Sequence, residues 1–347
     1  MKKSNLWRVL TLALALVMLF AVVACTNEGD ATATTEGAAD AATTPAATTT
    51  AKKTTAKATT AATTAGTTVA ADPKVYSGVP DTSWYDSTKT EFTLTTADQV
   101  IGFFDLRNQN TSFKGMTVKM ATDVVYNPGN SPEEVKAGIY NWWAINSNNL
   151  FEGTFDGQNH TFSGFKFVAA GSCTRGMFGS MGEGAVIKNL KMVNSYFCGP
   201  EIAKETFGLL VSRVRGMNNT IINVTSENAL YEYGEGTMGV VGGLVGKVES
   251  NASITIENCT VAGTMNMNAK TCGGFIGDIA SASASVTIKN CVNKINITAV
   301  DKVGGIAGHM VDGATLTVEG FTNEGTLVTT GEGSIAKDDK VPANPAA

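Results

Sequence analysis

The sequence "VGGLVGKVESNASITIENCTVAG" (residues 241–263) is followed by two further versions of its opening, "CGGFIG" at 272–277 and "VGGIAG" at 303–308. Gly243, Gly274 and Gly305 are therefore spaced by 31 residues. Weaker versions come earlier, as "GMFG" ending at Gly179 and "FGLLV" beginning at Phe207. A repeat with a fixed period indicates that one structural unit is stacked several times along the chain.

A run rich in β-branched residues follows each glycine motif after a short polar gap. In the last three runs, apolar residues alternate with polar ones and continue past a corner: Ile254, Ile256 and Cys259; Val286, Ile288 and Cys291; Leu316, Val318 and Phe321. This period of two predicts strands, and its recurrence predicts an all-β solenoid of stacked coils. The period is too short for a propeller blade of about 40–45 residues.

Asparagine recurs at the predicted corners, as Asn189, Asn223, Asn258 and Asn290, with Gly320 in the last repeat. Asparagine and glycine tolerate the left-handed backbone that a corner demands. Stacked asparagines also form side-chain ladders. We therefore assign these residues a structural role rather than a ligand-binding one.

Cys259 and Cys291 match in register, and adjacent coils lie about 4.8 Å apart, within reach of a disulfide. The alternative, which we favour slightly, is a pair of buried free thiols. Five cysteines follow Cys25, so at least one is free. No CxxC pair occurs, and we expect neither a zinc site nor another cofactor.

The front of the folded part differs from the repeats. In "TTADQVIGFFDLRN" (95–108), Thr96 and Gln99 have capping-box spacing, and an apolar stripe includes Phe103 and Phe104. We expect a short helix that caps the open end of the solenoid, because uncapped strand edges invite aggregation. A strand is expected in 113–127, and "GIYNWWAI" (138–145) is expected to lie in an insertion.

The N-terminus has the pattern of a secretion signal, with basic residues before an apolar run from Val9 to Val23. Its end, "VVAC", resembles a bacterial lipobox, which implies cleavage before Cys25 and a lipid on that cysteine. Residues 31–71 contain 16 Ala and 16 Thr, too few apolar groups to form a core. We expect a disordered tether there.

Removal of the signal takes three positive charges and changes the formal net charge from −5 to −8. Nucleic-acid binding needs a basic surface, and the sequence contains no basic stripe. We therefore expect no nucleic-acid partner.

The blocks "FKGMTVKMATDV", "WWAI", "FEGTFDGQNHTFSGFKF", "GMFG" and "AVIKNLKM" follow one another in this order. This order resembles bacterial surface proteins that carry GLUG-type repeats, over roughly residues 91–330. The resemblance implies a right-handed parallel β-helix at the cell surface. It implies no activity, since such repeats occur in adhesin-like proteins and as non-catalytic parts of secreted enzymes. The HExxH motif of the metalloproteases among them is absent.

The block "FEGTFDGQNHTFSG" (151–164) places Asp156 and His160 in one polar turn. We interpret Asp156-Gly157 as a tight turn and His160 as a hydrogen-bonded member of the stack. A β-helix lyase or hydrolase would need several converging carboxylates, and Asp156 has no acidic partner at the matching place of the next coil. His309 with Asp312 is a weak catalytic signal, because no nucleophile or metal ligand accompanies it.

Tyr140, Trp142 and Trp143 are the candidate ligand-binding residues. Adjacent residues of a strand face opposite ways, so one of the two tryptophans is expected to be exposed and able to stack on a sugar or a partner protein. The alternative is that these rings only cover the cap.

The sequence thus predicts a signal peptide (1–24), a lipidated tether (25–72), a cap with irregular first coils (73–150), a β-helix (151–330) and a disordered tail (331–347). We expect a non-catalytic lipoprotein, anchored to the membrane through Cys25 and exposed outside the cytoplasm, that serves in adhesion or binds a glycan or protein. The alternative is a carbohydrate-active β-helix enzyme.

Overall fold

A computed structural model of the chain describes residue 72 and residues 74–143, 145–168, 175–199, 206–233 and 238–331. Cys25, the signal segment and almost all of the expected tether and tail lie outside these residues. Within them the chain is nearly all β, with helices α1 (Ala97–Asn108) and α2 (Pro132–Lys136). Neither described helix has the length and apolarity needed to cross a membrane.

The strands before the regular repeats are short. They are β1 (Glu91–Leu94), β2 (Thr117–Met120), β3 (Val124–Val125), β4 (Leu150–Phe151), β5 (Thr154–Asp156), β6 (Thr161–Ser163), β7 (Lys166–Val168) and β8 (Ser180–Met181).

The repeats supply longer strands. They are β9 (Val186–Val193), β10 (Tyr196–Gly199), β11 (Thr206–Gly208), β12 (Val211–Val214), β13 (Asn219–Tyr233), β14 (Met238–Gly242), β15 (Val245–Val248), β16 (Ser253–Glu257), β17 (Thr260–Asn266), β18 (Ala269–Gly273), β19 (Ile276–Ile279), β20 (Ser285–Ala299), β21 (Lys302–Gly304), β22 (Ala307–Met310), β23 (Thr315–Asn323) and β24 (Leu327–Thr329).

These strands form three parallel sheets, which run along the stack. Sheet A has 14 strands, among them β9, β13, β16, β20 and β23. Sheet B has the order β22-β19-β15-β12-β8-β4, and sheet C has the order β11-β14-β18-β21. In each repeat the chain runs along sheet A, then sheet C, then sheet B, and returns to sheet A one level further on. The protein is therefore a right-handed parallel β-helix, as the sequence predicted.

The register between coils explains the sequence period. Val245 pairs with Ile276, which pairs with Ala307, so these coils are 31 residues long. Val211 pairs with Val245, and that earlier coil is 34 residues long. The predicted period is thus confirmed for the last coils, while longer earlier coils account for the weaker motifs there.

The interior is filled by the apolar residues of the alternating runs. Ile254, Ile256 and Cys259 are buried in one coil, and Val286, Ile288 and Cys291 are buried directly above them. The polar residues between them face outward, where Lys289 forms an ion pair with Glu319 at 3.1 Å. Strands β16 and β20 of sheet A therefore bury one face and expose the other, at least in part, to solvent.

Helix α1 closes the N-terminal end of the stack, as predicted. The Thr96 side chain accepts a hydrogen bond from the Gln99 backbone N–H, and the Gln99 side chain accepts one from the Thr95 N–H. Phe103 and Phe104 are fully buried, and their rings lie 4.8 Å from Phe113 and 5.1 Å from Phe178. The helix thus covers the first coils with buried aromatic side chains.

Candidate functional site

The block at 151–164 forms a corner at the start of the regular coils, but its turn is not where the sequence suggested. Asp156 ends β5, and the left-handed residues are Gln158 and Asn159, with φ of 49° and 65°. The His160 N–H donates to the Gly157 carbonyl at 2.8 Å and closes the turn. The prediction of an Asp156-Gly157 turn is therefore displaced by two residues, because the αL positions fall on Gln158 and Asn159.

Asp156 is held by three neighbours. Its Oδ1 accepts hydrogen bonds from the Gln158 N–H and from Asn189 Nδ2, both at 3.0 Å. Its Oδ2 lies 3.3 Å from Lys188 Nζ in the next coil. Burial acts to raise the pKa of Asp156, but these hydrogen bonds and the Lys188 ammonium outweigh it and lower the pKa below its ordinary value. Asp156 is an ionised structural group rather than a proton donor.

His160 contacts a carboxylate that the sequence reasoning did not pair with it. His160 Nδ1 lies 3.1 Å from Asp123 Oδ1 on the preceding coil. The same oxygen accepts the Thr161 N–H at 2.9 Å, and this bond leads those that lower the pKa of Asp123. Asp123 therefore links two successive coils through its contacts with His160 and Thr161.

The corner asparagines stack in one column. Asn189, Asn223, Asn258 and Asn290 have φ of 49–53°. Asn223 Nδ2 donates to Asn189 Oδ1 at 2.9 Å, Asn258 Nδ2 to Asn223 Oδ1 at 3.3 Å, and Asn290 Nδ2 to Asn258 Oδ1 at 3.4 Å. Asp156 Oδ1 accepts the first bond of this ladder from Asn189. A second, shorter ladder joins Asn228 to Asn194 at 2.8 Å, which the sequence analysis missed.

The candidate aromatic residues belong to the cap. Trp142 is 2% exposed and packs against Phe104 and Phe165. Trp143 is half-buried and stacks on Trp142 at 5.0 Å, and Tyr140 is half-buried against Tyr76 at 4.8 Å. The expectation of an exposed tryptophan is wrong, because this segment docks on the first coils instead of projecting as an insertion.

Cys259 and Cys291 are free thiols buried in adjacent coils. The hydrogen bond to the Cys291 sulfur, followed by burial, holds the pKa of the Cys259 thiol well above its ordinary value. Cys272 is also buried, and burial raises its pKa. A thiol with a raised pKa is a poor nucleophile at neutral pH, so Cys259 and Cys272 fill the core as small apolar side chains. The hydrogen bond with Cys259 lowers the pKa of Cys291, but its burial keeps that sulfur away from solvent.

A cleft lies between sheets B and C, where each coil turns through its glycine motif. Its volume is about 420 Å³, and its lining residues are Thr206, Arg213, Gly239, Val240, Lys247, Lys270, Thr271, Asp301, Lys302 and His309. The motif glycines let the walls approach. A Cβ at Gly246 would lie 2.5 Å from Thr206 Cγ2, and one at Gly277 would lie 2.3 Å from Val240 Cγ1.

The wall from sheet B carries a column of charged residues. Arg213 pairs in register with Lys247, Lys247 with Asp278, and Asp278 with His309. Asp278 is 9% exposed, and its oxygens lie 3.6 Å from Lys247 Nζ and 2.8 Å from His309 Nδ1. Arg213 forms an ion pair with Glu249 at 2.6 Å. Register thus brings His309 beside Asp278, a carboxylate that the sequence analysis did not consider with it.

A sequence signal for this column exists. Lys247, Asp278 and His309 each directly follow the last glycine of a repeat motif, as in "GLVGK", "GFIGD" and "GIAGH". Alignment of the repeats would have brought these residues together. Within the described ranges, no group of three or more His, Cys, Asp or Glu side chains is arranged to hold a metal ion.

Comparison with known proteins gives limited matches. No protein-family model matches the chain. Halomucin of Haloquadratum walsbyi is 30% identical over 119 residues, which make up 34% of this chain and 1% of that protein. A solved structure of a candidate immunoglobulin A1 protease from Bacteroides ovatus aligns with a TM-score of 0.41 and 18% identity, over 76% of this chain and 81% of that one. The fold assignment above rests on the strand pairing of this chain alone.

Proposed function

We propose that the protein is a non-catalytic surface protein whose β-helix displays a binding cleft for an extracellular glycan or protein. The observation that carries this proposal is the lining of the cleft between sheets B and C. Among the described residues, four cations (Arg213, Lys247, Lys270 and Lys302) and one carboxylate, Asp301, line it. Such a lining offers hydrogen-bond donors to a ligand, whereas glycoside hydrolysis needs two carboxylates that flank one bond.

The second carboxylate near the cleft is already engaged. Asp278 is almost fully buried, and its two oxygens face Lys247 and His309. A carboxylate with both oxygens engaged is poorly placed to take a proton from a substrate. This favours binding over catalysis at the cleft.

Location at the cell surface is the second part of the proposal. The signal-like start, the "VVAC" sequence ending at Cys25 and the Thr/Ala-rich segment after it support a lipid anchor with a tether. The resemblance to GLUG-repeat surface proteins points the same way. We expect Cys25→Ala to move the protein from the membrane fraction to the soluble fraction. Retention of this variant in the membrane fraction would show that Cys25 is not the anchor.

The alternative function is a carbohydrate-active enzyme, and one observation favours it. The 2.8 Å contact between His309 and Asp278 lies at the cleft wall, where a histidine–carboxylate pair could move a proton. An enzyme of this kind would lose activity in His309→Gln while keeping its fold.

The direct test of binding is a glycan array probed with the full chain. The proposal predicts that the chain binds at least one class of glycan on the array and that the bound amount rises with protein concentration. The cleft variant is Lys270→Gln/Lys302→Gln, which changes two exposed or half-buried residues of the lining. Equal binding by the wild type and by this variant, if it is folded, would place binding elsewhere. If the chain bound neither a glycan nor an envelope protein, the proposal would be contradicted.

A further inference from the structure

We propose that the cleft binds a linear acidic polysaccharide, whose carboxylate or sulfate groups pair with Lys270 and Lys302 on one wall and with Arg213 and Lys247 on the other. This inference rests on the proposed function and names the class of ligand. It follows from the charge, the pairing and the shape of the cleft.

The charge of the cleft is opposite to that of the chain. The chain has a formal net charge of −5, yet four of the ten described lining residues are Arg or Lys and one is acidic. Arg213 and Lys247 are paired with Glu249 and Asp278, so the positive charge left for a ligand lies mainly on Lys270 and Lys302. Two ammonium groups on one concave wall repel each other, and an anionic ligand relieves that repulsion.

The cations fall into two groups. Arg213 and Lys247 are held by Glu249 and Asp278, at 2.6 and 3.6 Å, so their positions are fixed before a ligand arrives. Lys270 is exposed and Lys302 is half-buried, and neither lies within 4.0 Å of a carboxylate of the described residues. Their ammonium groups are therefore available to a ligand at little desolvation cost.

The shape of the cleft fits a chain rather than a single small anion. Successive strands of sheet C contribute Thr206, Val240, Thr271 and Lys302 to the lining. Strands of sheet B contribute Arg213, Lys247 and His309. Successive strands are about 4.8 Å apart, so the lining extends along the axis over several coils. A polymer with an anionic group on each short repeat can meet cations of successive coils.

No aromatic ring lines the cleft among the residues that the structure describes. Neutral sugars and nucleic-acid bases both gain affinity by stacking on aromatic side chains, and this cleft offers no such surface. Thr206 and Thr271 are buried, so little of their hydroxyl groups reaches the opening. The ligand must therefore be recognised mainly by its charge.

The test uses the full chain and four probes: polygalacturonate, dextran sulfate, neutral dextran and single-stranded DNA. Binding is measured at low and at moderate salt for the wild type, for Lys270→Gln/Lys302→Gln, and for the control Lys89→Gln/Lys114→Gln. The control removes the same charge from two exposed lysines outside the cleft. Thermal melting of each variant confirms that it is folded.

We expect at least one acidic polysaccharide to bind at low salt and to weaken as salt is added. The cleft variant should bind about tenfold more weakly, since two ion pairs with the ligand are lost, and the control should bind like the wild type. Equal losses in both variants, no loss in either, or tighter binding of DNA would overturn the inference.

Two outcomes separate this inference from the proposed function. Binding of neutral dextran that is unaffected by the cleft variant would overturn the acidic-ligand inference but leave a glycan-binding role. Cleavage of polygalacturonate by the wild type would contradict the non-catalytic role while leaving charge recognition by the cleft intact.

Discussion

Asn223 both adopts a left-handed backbone conformation and forms side-chain hydrogen bonds between coils, and alanine cannot do both. Its φ of 53° lies in the left-handed region, and its side chain links Asn189 on one coil to Asn258 on the next. An asparagine tolerates this backbone because its short polar side chain bonds locally. The column thus fixes a corner and the register between coils with the same residue.

The two contributions of Asn223 are separable by mutation. Asn223→Gly keeps the backbone and loses the ladder bonds, which should cost about 0.5–1 kcal/mol at this exposed site. Asn223→Ala also has to adopt the left-handed backbone and should cost about 1 kcal/mol more. Urea unfolding measures both. An alanine variant as stable as the glycine variant would show that the corner does not require this conformation.

Asp156 should contribute stability that depends on pH. Because its pKa is lowered in the folded protein, its contribution is present above the unfolded value of about 4 and is lost as pH falls through the folded value. Asp156→Asn should cost about 1 kcal/mol at pH 7, through loss of the Lys188 ion pair. The difference from wild type should shrink in unfolding experiments below pH 4.

Asp156→Asn keeps an acceptor for Asn189, so any glycan binding should persist. A stability difference that is constant from pH 7 to pH 3 would contradict the ionised role. Loss of binding with an unchanged melting temperature would show that the corner contacts a ligand.

At the scale of elements, the glycine motif sets how closely sheets B and C approach. A Cβ at Gly246 of sheet B would meet two atoms of sheet C, Thr206 Cγ2 at 2.5 Å and the Phe207 backbone carbonyl carbon at 2.9 Å. The walls would have to separate to admit it. Glycine at this place of the repeat motif therefore sets the distance between the two walls of the cleft.

Gly246→Ala tests this account. We expect it to destabilise the protein by about 1–3 kcal/mol, the usual cost of overpacking, measured by the urea midpoint. Gly184→Asn is the matched control, because a Cβ there meets no atom within 4 Å and asparagine tolerates its φ of +66°. If the two variants were equally stable, close approach of the walls would not be the reason for the glycine.

At the scale of the whole molecule, the sequence predicted those features that leave a local or a repeated signal. The coil register follows from the spacing of Gly243, Gly274 and Gly305, because a repeated motif marks the same place in each coil. Helix α1 follows from Thr96 and Gln99, because a helix cap is a local signal. The docking of Trp142 on Phe104 depends on a contact across 38 residues, and no local pattern predicts it.

The cleft was missed for a related reason. Its walls combine Lys270 and Lys302 with Arg213 and Lys247, which become neighbours only when the turn between sheets C and B is known. Period-two alternation indicates which residues face outward, but not that two outward faces converge. Alignment of the repeats predicts which residues of successive coils form a column. Only the structure shows that the columns of sheets B and C face the same cleft.

The central claim, that this β-helix binds and does not cut, is tested most directly by the size of a polysaccharide after it has been bound. The full chain is incubated with polygalacturonate at a concentration that saturates binding, and the recovered polymer is analysed by size-exclusion chromatography together with assays for reducing and unsaturated ends. We expect the size distribution of the polymer to be unchanged, with no new ends above the protein-free control. Shorter chains that appear with the wild type and not with His309→Gln would contradict the claim and place catalysis in the cleft.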